Sequence, residues 1–428
     1  MTRWQWLLSQ LLRKLWLRAS AYALLGIVTA LVAIGAQHYL PWELPEVVGA
    51  DAVDNLLNII ASSMLAVTTF SLSTMTAAYS AVTTNVTPRA TTLLIEDKVS
   101  QRVLSTFVGS FLFSIVGIIV LKTGAYGPSG RSVLFAVTVI VVALIVFNLL
   151  RWIDHLTRLG RVGETTDRVE AVTKDALKER LDAPYLGGVP LARAMRDIPD
   201  DALVVLSGGI GHLQHIDMYA LSEVAEAQDC AIHVLLNPGA FVSVDTPLAW
   251  LRATTEAEAV QARIRAAFSV GAVRSFDQDP RFGFAVMSEI ASRALSPAVN
   301  DPGTALDVIS RNTRLLALWA EGQDRPDGTA PEHPRIHVAG LADDDLFEDA
   351  FMLVARDGAG MIEVQLRLLK CLNALERIGA RPFRAAARRQ ADMAVERALQ
   401  ALTFRRDRER LEAARHRPPP GSNQPGAQ

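Results

Sequence analysis

Four long stretches without a charged residue dominate the first 160 residues: 19–42, 55–88, 103–121 and 132–150. A helix needs roughly 20 apolar residues to cross a hydrocarbon core about 30 Å thick, so each stretch is long enough to span a membrane. We therefore predict a transmembrane domain that contacts the lipid bilayer. Its boundaries are residues 1–160, with spans at about 19–42, 55–84, 103–121 and 132–150.

Lys and Arg are unevenly divided between the loops. Ten of them flank the spans on one side, whereas only Lys122 and Arg131 lie on the other. Because positive residues mark cytoplasmic loops, we predict that both termini are cytoplasmic. Trp4, Trp6 and Trp16 precede the first run, as in an uncleaved interfacial helix. Cleavage as a signal peptide, the alternative, would leave the other three spans oriented as before.

The rest of the chain has the pattern of a cytosolic α/β domain. We predict a helical extension and linker over residues 161–190. Short strands closed by Pro-Gly turns predict a small α/β, β-barrel-like module over 191–253. Helical periodicity predicts mostly helix over 254–404, and composition predicts a disordered tail over 405–428. The fold class is therefore a membrane α-helical protein, with four transmembrane helices, plus a cytosolic α/β domain with C-terminal helices.

Enzyme and cofactor signals are weak. The chain has no H-E-x-x-H, G-x-S-x-G or Walker A sequence, so we expect no enzyme, no metal and no cofactor. His212 and His215 are three residues apart, but surface or barrel histidines explain them better than zinc does. The "SGGIG" turn precedes a strand and not a helix, which disfavours a phosphate site. Near-balanced charge, 43 basic against 45 acidic residues, gives no reason to expect a nucleic-acid partner.

Eight polar residues of the phrase from 277 to 304 form a second candidate site, which we call the polar corner. Glu289 and Arg293 are spaced to pair on one helix face, and Asp301 before Pro302 is a plausible helix N-cap. One reading is a rigid corner between two helices. The other is that these groups converge on an ion, a small anion or a neighbouring subunit. The residues are Asp277, Gln278, Asp279, Glu289, Arg293, Asn300, Asp301 and Thr304.

The long phrase "DQDPRFGFAVMSEIASRALSPAVNDPGTA", with "TPRATTLL" after a Ser/Thr-rich second span, carries a resemblance. In this order, the features resemble the bacterial predicted-membrane-protein family catalogued as domain of unknown function 2254. The resemblance runs from about residue 15 to 400. It implies a multi-pass protein of the bacterial inner membrane, and it implies no particular activity.

The second span is unusually rich in hydroxyl groups, since residues 61–87 contain five Ser and seven Thr. At about 100° per residue, seven of them fall close to one line on the helix. The seventh, Thr87, follows the span; we call the six within the span the hydroxyl line. Its residues are Ser62, Thr69, Ser73, Thr76, Ser80 and Thr84.

Two readings of the hydroxyl line compete. Hydroxyls can pack against the small residues of the third span, such as Ser105 and Gly109. Alternatively, the line borders a water-filled path at the axis of a homo-oligomer, because four helices scarcely enclose a pore alone. The pore reading places Asp51 and Asp54 at the outer mouth and Arg89 at the inner one. It predicts an ion channel or passive-permeation pore with a cytosolic regulatory domain. The alternative function is a membrane-anchored sensor or scaffold.

Overall fold

The structure is a computed structural model, and it describes residues 5, 6, 8, 20, 24, 27, 28, 50–95, 97–123, 128–252, 257–323 and 330–415. The chain divides into two compact units. The helical unit comprises Leu7–Thr84 and Ala90–Glu164. The sheet unit comprises Met1–Trp6, Asn85–Arg89 and Thr165–Gln428.

Three helices of the helical unit are long and apolar enough to cross a membrane: Ala52–Thr84, Lys98–Lys122 and Arg131–Arg158. They correspond to the second, third and fourth predicted spans. The first predicted span, 19–42, lies outside the described residues except at four positions. The described part of the chain therefore contains three candidate spans, where the sequence predicts four. The helices between residues 50 and 158 are α1 (Ala50–Asn85), α2 (Pro88–Ile95), α3 (Lys98–Lys122) and α4 (Pro128–Arg158).

The long helices pack through apolar side chains and one close approach. Ile60, Phe107 and Trp152, from α1, α3 and α4, belong to one buried cluster. Gly117 of α3 lies against α1, because an added Cβ would stand 3.1 Å from Cδ1 of Leu57. A small residue at this position thus lets two membrane helices come close together.

The start of α3 is tied to α4 by a polar group. Asp97 is the N-cap of α3, and its carboxylate accepts a hydrogen bond of 2.7 Å from the backbone N–H of Ser100. Nε2 of His155, on α4, lies 2.9 Å from Oδ2 of the same carboxylate. One side chain therefore both caps a helix and binds its neighbour.

The sheet unit alternates short strands with helices. Its strands are β1 (Val189–Pro190), β2 (Ala202–Leu206), β3 (Gly211–Ile216), β4 (Ile232–Val234), β5 (Phe241–Val242), β6 (Pro247–Arg252), β7 (Phe268–Gly271) and β8 (Ile336–Val338). Its helices are α5 (Val162–Asp182), α6 (Met218–Ala227), α7 (Ala257–Ala266), α8 (Pro280–Ala294), α9 (Pro302–Gln323), α10 (Asp343–Asp357), α11 (Ile362–Leu375), α12 (Arg381–Ala401) and α13 (Arg405–Arg415).

The strands form two open sheets, so the predicted β-barrel-like closure is wrong for the described residues. One sheet has the order β1-β8-β4-β6-β2, with β8 parallel to both its neighbours, and the other is antiparallel with the order β5-β3-β7. The barrel expectation considered only the strands between residues 191 and 253. The sheet is completed instead by β8, which lies far along the chain and inserts between β1 and β4.

The helices after β7 surround an aromatic and aliphatic core. Phe347 and Phe351 of α10 and Phe383 of α12 are almost fully buried there. The first part of the predicted disordered tail also folds, as α13. Leu411 is buried, and Arg415 bonds Glu376 at 2.9 Å and Asp392 at 2.8 Å. Composition misses this helix because Leu411 and Arg415 find their partners on distant helices, whereas most of its other charged residues are exposed. Residues 416–428 lie outside the described part.

Candidate functional site

All six residues of the hydroxyl line are exposed on the surface of the chain. They lie on α1, whose buried face includes Leu57, Met64, Ser71 and Met75. At about 100° per residue, the centre of the line lies roughly 160° around the helix from the centre of that face. The hydroxyl line therefore faces away from the buried side of α1 in the part of the helical unit that the structure describes.

Five hydroxyl groups of the line bond to the backbone of their own helix. The Thr76 hydroxyl donates to the carbonyl oxygen of Leu72 at 2.9 Å, and the Ser73 hydroxyl to that of Thr69 at 3.0 Å. The same bond to the carbonyl four residues earlier is made by Ser62, Thr69 and Thr84. A hydroxyl that donates in this way keeps lone pairs that can accept a further bond. The line is thus an outward row of acceptors.

The small residues of α3 do not pack against this line within the chain. Ser105, Ser110 and Ser114 are buried, as is Gly109, whereas every member of the line is exposed. The only α1 hydroxyl outside the line that is fully buried is Ser71, on the opposite side of the helix. Among the described residues, the hydroxyl line therefore does not pack against the third span within the chain.

The predicted pore-mouth residues have separate surroundings. Asp51 lies on α1, and its side chain is outside the described part of the structure. Asp54, one turn later, is half-buried. Arg89 forms an ion pair with Glu289 of α8, with Nη1 2.8 Å from Oε1. Thr87, which is 4% exposed, donates a hydrogen bond of 2.9 Å to the other oxygen of the same carboxylate.

The polar corner begins at the N-terminus of α8. Asp279 is 2% exposed and caps the helix by accepting from the N–H of Phe282 at 3.1 Å. Arg274 donates two hydrogen bonds, of 2.8 and 3.0 Å, to the same carboxylate. Burial raises the pKa of Asp279, against the opposing effect of Arg274. Gln278 accepts from the N–H of Ile216 at 3.1 Å. These side chains are occupied in fixing where α8 starts.

The other end of the corner is the turn between α8 and α9. Asp301 caps α9, accepting from the N–H of Thr304 at 3.1 Å and from its hydroxyl at 2.6 Å. These hydrogen bonds to Thr304 lower the pKa of Asp301. Asn300 turns the chain with φ of 50°, in the left-handed region that Asn tolerates better than most residues. The cap predicted at Asp301 is therefore present.

The eight residues of the polar corner do not converge on one ion. Asp279 and Asp301 lie at opposite ends of α8, whose 15 residues extend about 22 Å at 1.5 Å per residue. Glu289 binds Arg89 and Thr87, and its predicted partner Arg293 keeps a buried Nε without a hydrogen-bond partner among the described residues. The described residues also contain no group of three or more His, Cys, Asp or Glu that is arranged to hold a metal.

A cavity of about 210 Å³ lies in the sheet unit. It is bordered by the end of α5 and the turn after it, the start of α6, the loop before α8 and the segment before β8. Its polar lining residues are Glu179, Arg180, Tyr219, Asp277, Gln278, Glu332 and His333. Its apolar lining residues are Ala176, Ala183, Leu186, Ile216 and Met218. Two residues of the polar corner, Asp277 and Gln278, thus reach this cavity.

Arg180 is the residue of the cavity wall with the most unusual surroundings. It is 5% exposed, with Nη1 3.4 Å from Oδ1 of Asn237. Nη2 is buried and has no hydrogen-bond partner among the described residues. Burial lowers the pKa of Arg180 to about 10, against the attraction of Asp279 and Glu179, so the group stays charged at neutral pH. Leaving a buried polar group unpaired costs on the order of 1–3 kcal/mol.

Two carboxylates of the cavity wall, in contrast, have hydrogen-bond donors. Asp277 accepts a bond of 2.8 Å from Nε1 of Trp6 and one of 3.0 Å from the Ser275 hydroxyl. The Tyr219 hydroxyl donates to Glu332. That hydrogen bond, together with the charge of Glu332, raises the pKa of Tyr219. Trp6 is buried here and stacks on His215.

His333 closes the cavity beside Tyr219. Its ring is 3% exposed and meets the Tyr219 ring edge-on at 4.9 Å. Burial lowers the pKa of His333, which favours the neutral ring. The turn opposite is strained, because Tyr185 and Leu186 have φ of 56° and 59°. Two consecutive non-glycine residues in the left-handed region are uncommon away from functional or tightly constrained positions.

The sequence does not predict most of the residues that line this cavity. Glu332 and His333 lie within residues 254–404, which the sequence predicts as mostly helix. Arg180 gives the one usable signal, since it continues the buried stripe of α5 formed by Thr173, Ala176 and Leu177. A charged residue on the buried stripe of an amphipathic helix indicates a partner that the periodicity itself does not reveal. The two histidines considered and disfavoured as zinc ligands have ring partners: His212 is edge-on to Phe241, and His215 stacks on Trp6.

The fold defines a membrane protein whose apolar helices accompany an α/β unit with two sheets. A family model described as a predicted membrane protein family, DUF2254, matches residues 13–374, and the chain belongs to this family. Similar curated proteins are an uncharacterized protein of Mycobacterium bovis and one of Mycobacterium tuberculosis. Each is 27% identical over 242 residues, which cover 53% of this chain and 44% of the relative. The chain thus matches less than half the length of these relatives. No solved structure matches it.

Proposed function

We propose that the protein is a homo-oligomeric ion channel or passive-permeation pore whose path is lined by the hydroxyl line of α1. The observation that carries the proposal is the outward position of all six hydroxyl residues. A line buried within one chain is unable to border a path at an oligomer axis. An exposed line meets this requirement.

The chemistry of the line suits weak, repeated contacts with a hydrated ion. Its hydroxyls donate inward to helix carbonyls and present lone pairs outward, so they can accept from water in the shell of a cation. Permeation needs sites that ease entry without trapping the ion, and uncharged acceptors fulfil that need better than carboxylates would.

The proposed setting is the bacterial inner membrane, with the termini and the sheet unit in the cytoplasm. The asymmetry of Lys and Arg between the loops supports this orientation. The proposed partners are lipid, further copies of the chain and a small ion. The proposed role of the sheet unit is to regulate or assemble the pore, and no catalytic step is part of the proposal.

Flux through liposomes tests the pore. Purified protein reconstituted with an ion-sensitive dye is expected to pass monovalent ions, and Thr76→Leu with Ser80→Leu is expected to reduce that flux at least tenfold. The matched control is Ser63→Leu with Thr74→Leu, which makes the same kind of change on α1 away from the line. Wild-type protein without flux, or equal losses in both pairs, would contradict the proposal.

A second candidate is a membrane-anchored sensor or scaffold. The cavity with its half-paired Arg180 favours this function, because it provides a site for a ligand in the sheet unit. Ligand binding without any ion flux from the same preparation would select the sensor over the pore.

A further inference from the structure

We propose that the cavity in the sheet unit binds a small zwitterion with an apolar side chain, of the chemical class of the free amino acids. In this assignment Arg180 receives the carboxylate of the ligand. The carboxylates of Glu332 and Asp277 face its ammonium group. The inference does not depend on whether the helical unit conducts ions.

The first step is the need of Arg180 for an acceptor. Its guanidinium is nine-tenths buried, stays charged, and presents an Nη2 without a partner among the described residues. A buried charged donor is stabilised chiefly by an acceptor of opposite charge. Arg binds carboxylates through the planar fork of its guanidinium. Arg180 lines the cavity and its Nη2 has no partner among the described residues, so the site favours a ligand that brings a carboxylate.

The second step is the charge of the rest of the wall. Glu179, Asp277 and Glu332 all line the same cavity as Arg180. A simple anion would meet these carboxylates, and a simple amine would meet the buried guanidinium. A ligand with both charges satisfies both ends, because each of its groups faces the opposite sign.

The third step is the shape and polarity of the remaining surface. Leu186, Ile216 and Met218 contribute apolar side chains to the wall. About 210 Å³ is available, which suits a molecule of amino-acid size and not a nucleotide. Pockets for small molecules commonly combine apolar walls with a few placed polar groups.

Calorimetric binding to the full chain in detergent tests the assignment with three matched probes. L-Leucine carries both charges, 4-methylpentanoate lacks the amine, and 3-methylbutylamine lacks the carboxylate. We expect L-leucine to bind with a Kd below about 10 mM, and each half-ligand to bind at least tenfold more weakly. Arg180→Met is expected to abolish binding, whereas Arg384→Met, at an exposed arginine of α12, is expected to leave it unchanged.

A second variant guards against misfolding of Arg180→Met. Glu332→Gln changes an exposed residue at the rim of the cavity and is expected to weaken L-leucine binding at least threefold while leaving 4-methylpentanoate unaffected. Absence of L-leucine binding overturns the proposal. Equal binding of L-leucine and 4-methylpentanoate overturns it in favour of a simple anion. Unchanged L-leucine binding in folded Arg180→Met shows that the cavity is not the site.

Discussion

Arg89 and Glu289 form an ion pair with an Nη1–Oε1 distance of 2.8 Å, although they are 200 positions apart in the chain. Both belong to the sheet unit, which includes the five-residue segment Asn85–Arg89 that directly follows a membrane helix. Thr87 of that segment binds the same carboxylate. Glu289 therefore binds two residues of this segment.

Glu289 is expected to contribute more through Thr87 than through Arg89. Glu289→Gln removes the ion pair but keeps an acceptor for the Thr87 hydroxyl, so a loss of at most about 1 kcal/mol in the free energy of unfolding is expected for this half-exposed pair. Glu289→Ala also leaves the buried Thr87 hydroxyl without its acceptor, which is expected to lower the free energy of unfolding by about 1–3 kcal/mol more. Denaturant unfolding of purified protein measures both losses. Equal losses in the two variants would contradict this division.

The two helix caps of the polar corner are expected to differ in strength. Asp279→Ala removes a buried cap and leaves the guanidinium of Arg274 without its two bonds, for which breaking a buried pair costs about 3–5 kcal/mol. Asp301→Ala removes an exposed cap and is expected to cost about 1 kcal/mol. Thermal unfolding of the two variants, side by side, gives the comparison. A larger loss at Asp301 would show that the order is wrong.

Acid is expected to destabilise the sheet unit through His233. This ring stacks on Trp250 at 3.8 Å and on His337 at 4.7 Å, and burial, with the charges of His337 and Arg252, lowers its pKa to about 4. The folded state thus binds a proton less readily than the unfolded chain, whose histidine pKa is about 6.5. The contribution of neutral His233 to the free energy of unfolding is therefore complete above about pH 6.5. It is lost as pH falls toward 4, at no more than about 1.4 kcal/mol per pH unit.

His233→Phe keeps an aromatic ring in the stack and removes the titration. Urea midpoints measured at pH 7, 6 and 5 are expected to fall less steeply for this variant than for the wild type. Measurements between pH 7 and 8 provide the control, since neither protein titrates this ring there. If the urea midpoints of both proteins fall equally steeply below pH 6.5, His233 is not the cause of the acid destabilisation.

Substitutions on α1 are expected to separate by face. Thr76→Val removes an exposed hydroxyl whose hydrogen bond stays within its own turn, so little change in thermal stability is expected. Ser71→Leu forces a large side chain into a fully buried position, at a cost of about 1–3 kcal/mol. Thermal unfolding in detergent compares the two variants. Strong destabilisation by Thr76→Val would mean that the line is packed against something in the isolated chain.

The sequence predicts what depends on local patterns. Uncharged runs and their length predict the spans that the structure describes, and Asp301 before Pro302 predicts a cap. It misses what depends on distant partners. Arg293, spaced to pair with Glu289, loses that partner to Arg89, and the cavity joins Arg180 to His333 across more than 150 positions. Local sequence periodicity does not relate residues that are so far apart in the chain.

The insertion of β8 between β1 and β4 has a consequence for synthesis. During translation, β1 and β4 emerge more than 100 residues before the strand that joins them, so their edges stay open until residue 338 has left the ribosome. Sheets assembled from such distant segments form slowly, and open edges favour pairing with other chains. A nascent chain stalled before β8, or a fragment that ends at residue 253, would therefore be prone to aggregation and in need of a chaperone.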